Sequence, residues 1–405
     1  NRTSIFYLSI IFFIAFLPIA SFVFALKNDF FLGYFPPKFL LSETLRSGQF
    51  PLWNPYISFG LPFYADMNGA YWNPITWFVA LTSGYSAYTL TLELLLYVLL
   101  GGWGMFKLAT HYTSNKYICI ISGLAYMCNG FTIGHLQHLN WISCSAFLPW
   151  CIWGILNINK IGSLKNILIS VILFYLLISS SHPGMIIGSI YFFAALISFL
   201  LYRKYKEAEL KGLKIEIKKY LLFFVLLLLL SSGQIAGYLD ILPYFDRNVK
   251  VDIEVSVSEN TTIQSWISLL LPLSTTKNQD FFNNDIAFRN NYIGLVLLCF
   301  FFASVFYGKI KTKAFYLLTG VFFLLLSLGG TIKHFALNYL PLIGYVRLNA
   351  EFRIFAIISF IIAAVLSFDY FLIHKDWMKA KLKLYITALL IIGGLMFLFS
   401  FIQYE

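Results

Sequence analysis

Eleven long apolar stretches constrain this chain more than any other feature of its sequence. They cover residues 5–26, 86–109, 117–133, 139–157, 166–181, 184–202, 220–239, 291–307, 314–328, 353–373 and 384–402. A helix needs about 20 mostly apolar residues to cross a hydrocarbon core about 30 Å thick, because each residue adds about 1.5 Å. Only 12% of the residues are charged, whereas soluble domains carry about 25%. The sequence therefore predicts an all-α polytopic membrane protein with about 11 transmembrane helices and excludes an ordinary soluble protein.

The positions of lysine and arginine predict how these helices are oriented. With the N-terminus inside, 19 of the 29 basic residues fall in inner loops, and most of the other 10 lie in three long outer loops. Basic residues concentrate in short cytoplasmic loops, whereas long loops follow this rule weakly. The net charge of +11 is therefore a mark of membrane topology. Membrane lipids are expected partners, and nucleic acid is not.

Three long, aromatic outer loops are the expected location of function. They cover residues 27–85, 240–290 and 329–352, and ordered loops of this length are usually functional. In the first loop, residues 38–46 have the pattern of a short interfacial helix, and prolines and tryptophans suited to the headgroup level follow it. Such a loop can cover a cavity at the outer end of the bundle.

Two aspartates in the first outer loop are candidates for acid–base chemistry. Asp29 follows the first apolar stretch by a few residues, so its carboxylate would be anchored at the membrane and reachable from outside. A carboxylate there can take the proton of an acceptor hydroxyl as that oxygen attacks an activated sugar. The alternative for Asp29 is a solvated flanking acid. Asp66 is a weaker candidate of the same kind, for which a helix cap or turn is the alternative.

Three histidines end hydrophobic hairpins on the predicted outer side. His135 and His138 lie between the third and fourth stretches, and His182 lies between the fifth and sixth. Two histidines three residues apart, without a third nearby ligand, are a weak metal signal. Hydrogen bonding to a phosphate or a sugar, or capping at the interface, is the favoured role, and no metal site is predicted.

Basic residues of the last outer loop and one intramembrane acid complete the candidate set. Arg347 and Arg353 stand near the outer end of the tenth stretch, and Lys333 stands near the end of the ninth. Guanidinium groups there can bind phosphate bidentately, although snorkelling to lipid phosphate is an equal alternative. Glu93 lies inside the second stretch, where an acid is a functional candidate unless it has a structural role.

Several motifs in the predicted outer loops resemble those of the YfhO family of bacterial membrane proteins. The first loop carries an acid, a Tyr-x-Pro step, PLWNPY (51–56) and a Gly-x-Pro turn. Later segments follow in the order of that family, and the most specific is LPLIGYVRLNAEFR (340–353). The resemblance covers about residues 27–370. Family members are usually longer, with an outer C-terminal part that is expected to be missing here, and His-Pro-Gly replaces the usual His-Pro-Gln.

The resemblance implies a GT-C-type glycosyltransferase, a multi-helix enzyme that uses a polyprenyl-phosphate-linked sugar on the outer side of the membrane. It implies one GT-C-like transmembrane domain over residues 1–405 in the bacterial cytoplasmic (inner) membrane, with the active face extracytoplasmic. Asp29 matches the position of the catalytic acid, and Arg347, Arg353 and the His135/His138 pair become candidate ligands for the donor phosphate or sugar. The implied acceptor is a cell-envelope polymer or glycolipid.

Two questions about function stay open at the level of sequence. A non-enzymatic transporter or flippase of lipid-linked saccharide is the alternative, although transporters often contain internal repeats and none is found here. A divalent metal could join Asp29, Asp66 and a histidine, but a hard cation usually takes more oxygen ligands. The donor lipid is therefore the expected substrate, and no resident cofactor is predicted.

Overall fold

The structure, a computed structural model, describes residues 2–57, 59–66, 69–180, 182–244, 260–276, 279–304 and 310–373, together with residues 387, 391 and 394. This described part is mostly helical, as predicted. Its one sheet is a two-stranded antiparallel hairpin of β1 (Trp53–Asn54) and β2 (Leu61–Pro62).

The helices can be given in chain order before their packing is considered. They are α1 (Arg2–Ala20), α2 (Phe35–Arg46), α3 (Pro74–Thr82), α4 (Ala87–Ala109), α5 (Lys116–Met127), α6 (Gly130–Gly134), α7 (Leu139–Lys160), α8 (Leu164–Ser180), α9 (Pro183–Ile241), α10 (Gln279–Phe282), α11 (Leu295–Ser304), α12 (Ile310–Ser327), α13 (Gly330–Tyr339) and α14 (Arg353–Ile373). A π-helical turn, Phe30–Tyr34, precedes α2, and short 3₁₀ turns link the later helices.

Six helical segments of the described chain are long and apolar enough to cross a membrane, or seven if the bent pair of α12 and α13 counts as one span. This is fewer than the eleven predicted. Four reasons account for the difference: α8 has only 17 residues, α11 in the predicted stretch 291–307 has only 10, α9 contains two of the predicted stretches, and the stretch 384–402 lies mostly outside the described residues. A multi-pass membrane protein is supported, whereas the number eleven stays a prediction.

Helix α9 joins two predicted stretches, 184–202 and 220–239, into one 59-residue element. At about 1.5 Å per residue it would be about 88 Å long, which is far more than one hydrocarbon core. Its backbone departs from helical geometry at Ala208 and Glu209, where Glu209 has a φ of 52°. The break falls in the basic segment between the two apolar halves, which is where a polar inner loop was predicted.

Helices α4 and α7 form the centre of the bundle. In the most apolar window of α7, 83% of the residues are buried, against 22% in α1, which therefore lies at the periphery. The indole of Trp150 on α7 donates to the Leu100 carbonyl of α4 at 2.8 Å. A Cβ at Gly104 would come within 2.6 Å of that indole, so a glycine is needed for this close approach.

Segments from different parts of the chain meet at one end of the bundle. These segments are the turn after α1, the connections α6–α7 and α8–α9, the turn Ile286–Phe288 and the stretch before α14. All of them were predicted to lie on the outer side. Their convergence at one end builds the cavity described next.

Candidate functional site

A cavity of about 320 Å³ opens at this end of the bundle. Its size lies at the low end of the range for small-molecule sites, about 300 to 1,000 Å³. The lining combines acids, imidazoles and aromatic rings: Asp29, Gly33, Tyr34, Pro37, Lys38, Asp66, Gly69, His138, Asn140, Trp141, His182, Phe288 and Leu348. Four of the predicted site residues, Asp29, Asp66, His138 and His182, are therefore brought together.

Asp29 is held at the mouth of this cavity by the turn that follows α1. Its neighbour Asn28 donates from Nδ2 to Oε1 of Gln137 at 3.2 Å, which ties this turn to the α6–α7 connection. The side chain of Asp29 is 66% exposed, and its Oδ2 lies 3.5 Å from Nε2 of His138. The carboxylate is thus open to an incoming group on one side and faces an imidazole on the other.

A buried arginine stands behind this pair. Arg353, the first residue of α14, is fully buried, and its Nη2 donates to Nε2 of His135 at 2.9 Å. Its remaining N–H groups donate to the carbonyls of Ala287, Phe288, Asn290 and Ala350. Arg353 therefore joins the 287–290 segment to the α6–α7 connection, and its donors are used within the protein.

The contact with Arg353 determines which nitrogens of the two histidines carry protons. An arginine can only donate, so Nε2 of His135 must accept, and a neutral His135 then carries its proton on Nδ1. Nδ1 of His135 lies 3.1 Å from Nδ1 of His138, which must accept in turn. His138 consequently carries its proton on Nε2, the atom that faces Asp29. The chain of contacts thus ends with an N–H directed at the Asp29 carboxylate.

Electrostatics supports the neutral state of both histidines, which lie between membrane-spanning segments. Burial and the nearby Arg353 guanidinium hold the pKa of His135 well below its usual value. Burial also lowers the pKa of His138, an effect that the Asp29 carboxylate partly opposes. Neutral imidazoles are required by the hydrogen-bond directions derived above.

His182 also lines the cavity and has a different neighbour behind it. As the N-cap of α9 it accepts at Nδ1 from the backbone N–H of Gly184 at 3.3 Å, and the same Nδ1 lies 3.0 Å from Oε1 of Glu351. The side chain of Glu351 is 0% exposed, and neither of its oxygens accepts a hydrogen bond from another described residue. Burial thus leaves this carboxylate with His182 as its one ion-pair partner among the described residues.

Glu93 lies next to Lys38, which lines the cavity, and both of its carboxylate oxygens have partners. Its carboxylate pairs with Nζ of Lys38 at 2.9 and 3.0 Å. It also accepts from the hydroxyls of Tyr85, Tyr97 and Thr76 at 2.8, 3.2 and 3.2 Å. The network joins α2, α3 and α4, so Glu93 fixes the first outer loop to the bundle. This is the structural alternative that the sequence left open.

Three other predicted residues occupy different surroundings. Arg347 is exposed and does not line the cavity. Lys333 is buried and donates to the carbonyl of Val346, again away from the lining. Asp66 lines the cavity and lies near Tyr71, whose pKa is raised by burial and by this carboxylate.

Sequence reasoning missed two charged residues of this site. Lys38 was placed on an interfacial helix, although a buried Glu93 requires a cation, and that requirement could have directed a search for one. Glu351 lies within LNAEFR, between the two arginines that drew attention, and nothing in its spacing distinguishes it from a surface acid. Tyr34 was also missed; its hydroxyl donates to Oδ1 of Asn140 at 2.5 Å across the cavity wall.

Within the described ranges, no three His, Cys, Asp or Glu side chains come together in a way that could hold a metal ion. Neither models of known protein families nor curated proteins match this chain.

Proposed function

We propose that this protein is a membrane glycosyltransferase that moves a sugar from a polyprenyl-phosphate donor to a cell-envelope polymer or lipid acceptor on the extracytoplasmic side. The observation that carries the proposal is the Asp29 carboxylate at the mouth of a cavity, with the His138 N–H directed at it. The motifs of the first and last outer loops, which resemble the YfhO family, support the same class. The bundle would then be of the GT-C type.

Asp29 acts as the general base in this proposal. The acceptor hydroxyl approaches the exposed side of the carboxylate and loses its proton to it as the oxygen attacks the anomeric carbon. His138 already carries its proton on Nε2, so it orients the carboxylate and does not compete for the acceptor proton. Arg353 and His135 maintain that tautomer, and they therefore act as positioning residues.

The proposal is tested by reconstituting the protein in liposomes that contain a tritiated polyprenyl-phosphate hexose, with cell-envelope extract as acceptor. Asp29→Asn should lower transfer by at least about 100-fold, because a positioned general base contributes about 10²- to 10⁴-fold. The matched control is Asp369→Asn, which lies at the opposite end of the bundle beside Thr113. It should retain wild-type activity.

Two results would contradict the proposal. Full transfer by Asp29→Asn would remove the proposed base. Movement of the labelled lipid across the bilayer without any glycosidic product would favour the alternative, a transporter or flippase of lipid-linked saccharide.

A further inference from the structure

A second cavity, of about 400 Å³, opens at the end of the bundle opposite the first. Its walls come from the α4–α5 connection, the C-terminal end of α7, the part of α9 before its break, the start of α12 and one residue of α14. Arg203 in this wall follows His182 of the first cavity by 21 residues along α9, which is about 31 Å at about 1.5 Å per residue. A hydrocarbon core is about 30 Å thick, so the two cavities are placed to face opposite surfaces of a membrane.

The second cavity is basic, whereas the first contains two aspartates. Three permanent cations line it, Lys160, Arg203 and Lys204, and Glu207 is the one carboxylate among its described lining residues. Arg203 pairs with Glu207 through Nη2 at 3.2 Å, so its other N–H groups can still donate. The described lining therefore carries an excess of two positive charges, which favours an anionic ligand.

Neutral hydrogen-bond donors lie close to these cations. The hydroxyls of Tyr112 and Tyr316, which both line the cavity, are 2.6 Å apart. One hydroxyl donates to the other, so the accepting hydroxyl keeps an O–H that can donate elsewhere. Burial and Tyr316 raise the pKa of Tyr112, and the Arg203 guanidinium partly opposes that rise, as expected of a cation nearby. Charged and neutral donors in one cavity suit the oxygen atoms of a phosphate.

The rest of the wall is apolar and lies between helices. Buried leucines of α7, α9 and α14 form it, and the ring centroid of Phe199 lies 6.0 Å from Cζ of Arg203. A ligand that fills the cavity therefore meets cations on one side and hydrocarbon on the other. Phospholipids combine a phosphate with apolar chains, and basic pockets between membrane helices bind their anionic headgroups. A free phosphate ion would leave the apolar wall uncovered.

We infer that the second cavity binds the phosphate headgroup of an anionic phospholipid, with Arg203, Lys204 and Lys160 as the groups that contact the phosphate. The planar guanidinium of Arg203 can bind two phosphate oxygens at once, whereas the lysines act as point charges. The inference does not depend on the proposed function, because it concerns another cavity and no group transfer.

The first test compares two phospholipids that differ in headgroup charge. The full chain, freed of native lipid in dodecyl maltoside, is titrated with dioleoyl phosphatidylglycerol or dioleoyl phosphatidylcholine, and bound lipid is counted by native mass spectrometry. Phosphatidylglycerol should bind at least about 10-fold more tightly, because the choline ammonium would bring a positive charge to a cavity that already has an excess of them. Equal binding of the two lipids would overturn the inference.

A pair of double variants tests whether the charges of the cavity are responsible. Arg203→Gln combined with Lys204→Gln should weaken phosphatidylglycerol binding about 10- to 100-fold, since it removes two charged donors. The matched control, Lys206→Gln combined with Lys211→Gln, removes the same charge from exposed positions of the same basic segment that do not line the cavity. It should bind within about twofold of the wild type. Equal losses in the two double variants, or no loss in either, would overturn the inference.

A change of shape separates the cavity from its charge. Thr312→Trp narrows the cavity at the start of α12 without changing the charge, and it should also weaken phosphatidylglycerol binding. Lys204→Arg keeps the charge and should bind as the wild type does. Unchanged binding in Thr312→Trp would contradict the assignment to this cavity.

Melting temperatures show whether the variants are folded and report binding independently. Phosphatidylglycerol should raise the melting temperature of the wild type and of Lys204→Arg, because a ligand that binds only the folded state stabilises it. The melting temperature of the Arg203→Gln, Lys204→Gln variant should not respond, and an equal rise in that variant would count against the inference. Glycerol phosphate, which lacks the acyl chains, should bind much more weakly than the lipid, and equal binding would overturn the assignment to a phospholipid.

Discussion

Two buried glutamates lie beside the same cavity, and they differ in how many partners surround them. Glu93 pairs with Lys38 and accepts from three hydroxyls. Glu351 is buried to the same extent, yet His182 is its one ion-pair partner among the described residues, at 3.0 Å. Burial is therefore the same at the two sites, whereas the number of satisfied oxygen lone pairs is not.

The comparison indicates that the number of ion-pair and hydrogen-bonding partners, more than burial, distinguishes a structural charge from a functional candidate. A buried charge with excellent partners holds elements together, and removing one partner is strongly destabilising. A buried charge with few partners is retained at a cost in stability, and such groups occur more often at functional sites. Glu93 belongs to the first kind, and Glu351 matches the second.

The largest expected effect on the free energy of unfolding comes from neutralising Glu93, both of whose oxygens have partners. Glu93→Gln should lower the free energy of unfolding by about 3–5 kcal/mol, because it leaves the Lys38 ammonium buried without a counter-charge. Glu351→Gln should change it by less than about 1 kcal/mol, since the amide relieves a poorly solvated carboxylate. Thermal and denaturant unfolding in the same detergent measures both values.

A double variant tests whether the loss of stability comes from leaving one member of the ion pair buried without its partner. Lys38→Met combined with Glu93→Leu should regain much of the stability lost in either single variant, because apolar replacement of a whole buried ion pair is often nearly neutral. If Glu351→Gln destabilised the protein as much as Glu93→Gln does, the distinction between the two glutamates would be lost.

A somewhat smaller effect is expected for the buried arginine, which extends the comparison to cations. Arg353→Gln should lower the free energy of unfolding by about 2–4 kcal/mol, because carbonyls that now accept from the guanidinium would be left unsatisfied. No counter-ion would be stranded, so the loss should be smaller than for Glu93→Gln. Arg347→Gln, the same change at an exposed position, should stay within about 0.5 kcal/mol. Equal losses in the two variants would contradict the structural role of Arg353.

Hydrophobic patterning predicted the main elements of the fold well. Helices α4, α7 and α14 begin and end within a few residues of the predicted stretches, because a long apolar run has few alternatives in a bilayer. The number of membrane-spanning helices was harder to predict from the hydrophobic pattern. Patterning alone could not reveal that α12 and α13 form a pair bent by 110° or that 184–202 and 220–239 form one element with a local break.

The site was predictable where it depended on chain position and not where it depended on packing. Asp29, His138 and His182 were expected at helix ends on one side, and the topology of alternating loops brings them to one cavity. The buried partners could not be predicted in the same way. Contacts such as Arg353 with His135 join residues 218 positions apart in sequence, and no local pattern encodes which donors such a pair will satisfy.

The smallest expected effect concerns pH and tests the neutral state of the histidines behind Asp29. Burial and Arg353 lower the pKa of His135, and burial lowers that of His138 despite the carboxylates of Asp29 and Asp285 nearby. Below about pH 6.5 the unfolded chain therefore binds more protons than the folded one, and stability should fall by about 1 kcal/mol per pH unit for each histidine. Melting temperatures in detergent at pH 7.5, 6.5 and 5.5 measure this slope. His135→Asn should flatten it, whereas His334→Gln, at an exposed position on α13, should leave it unchanged; an unaltered slope in His135→Asn would mean that His135 is already protonated in the folded protein.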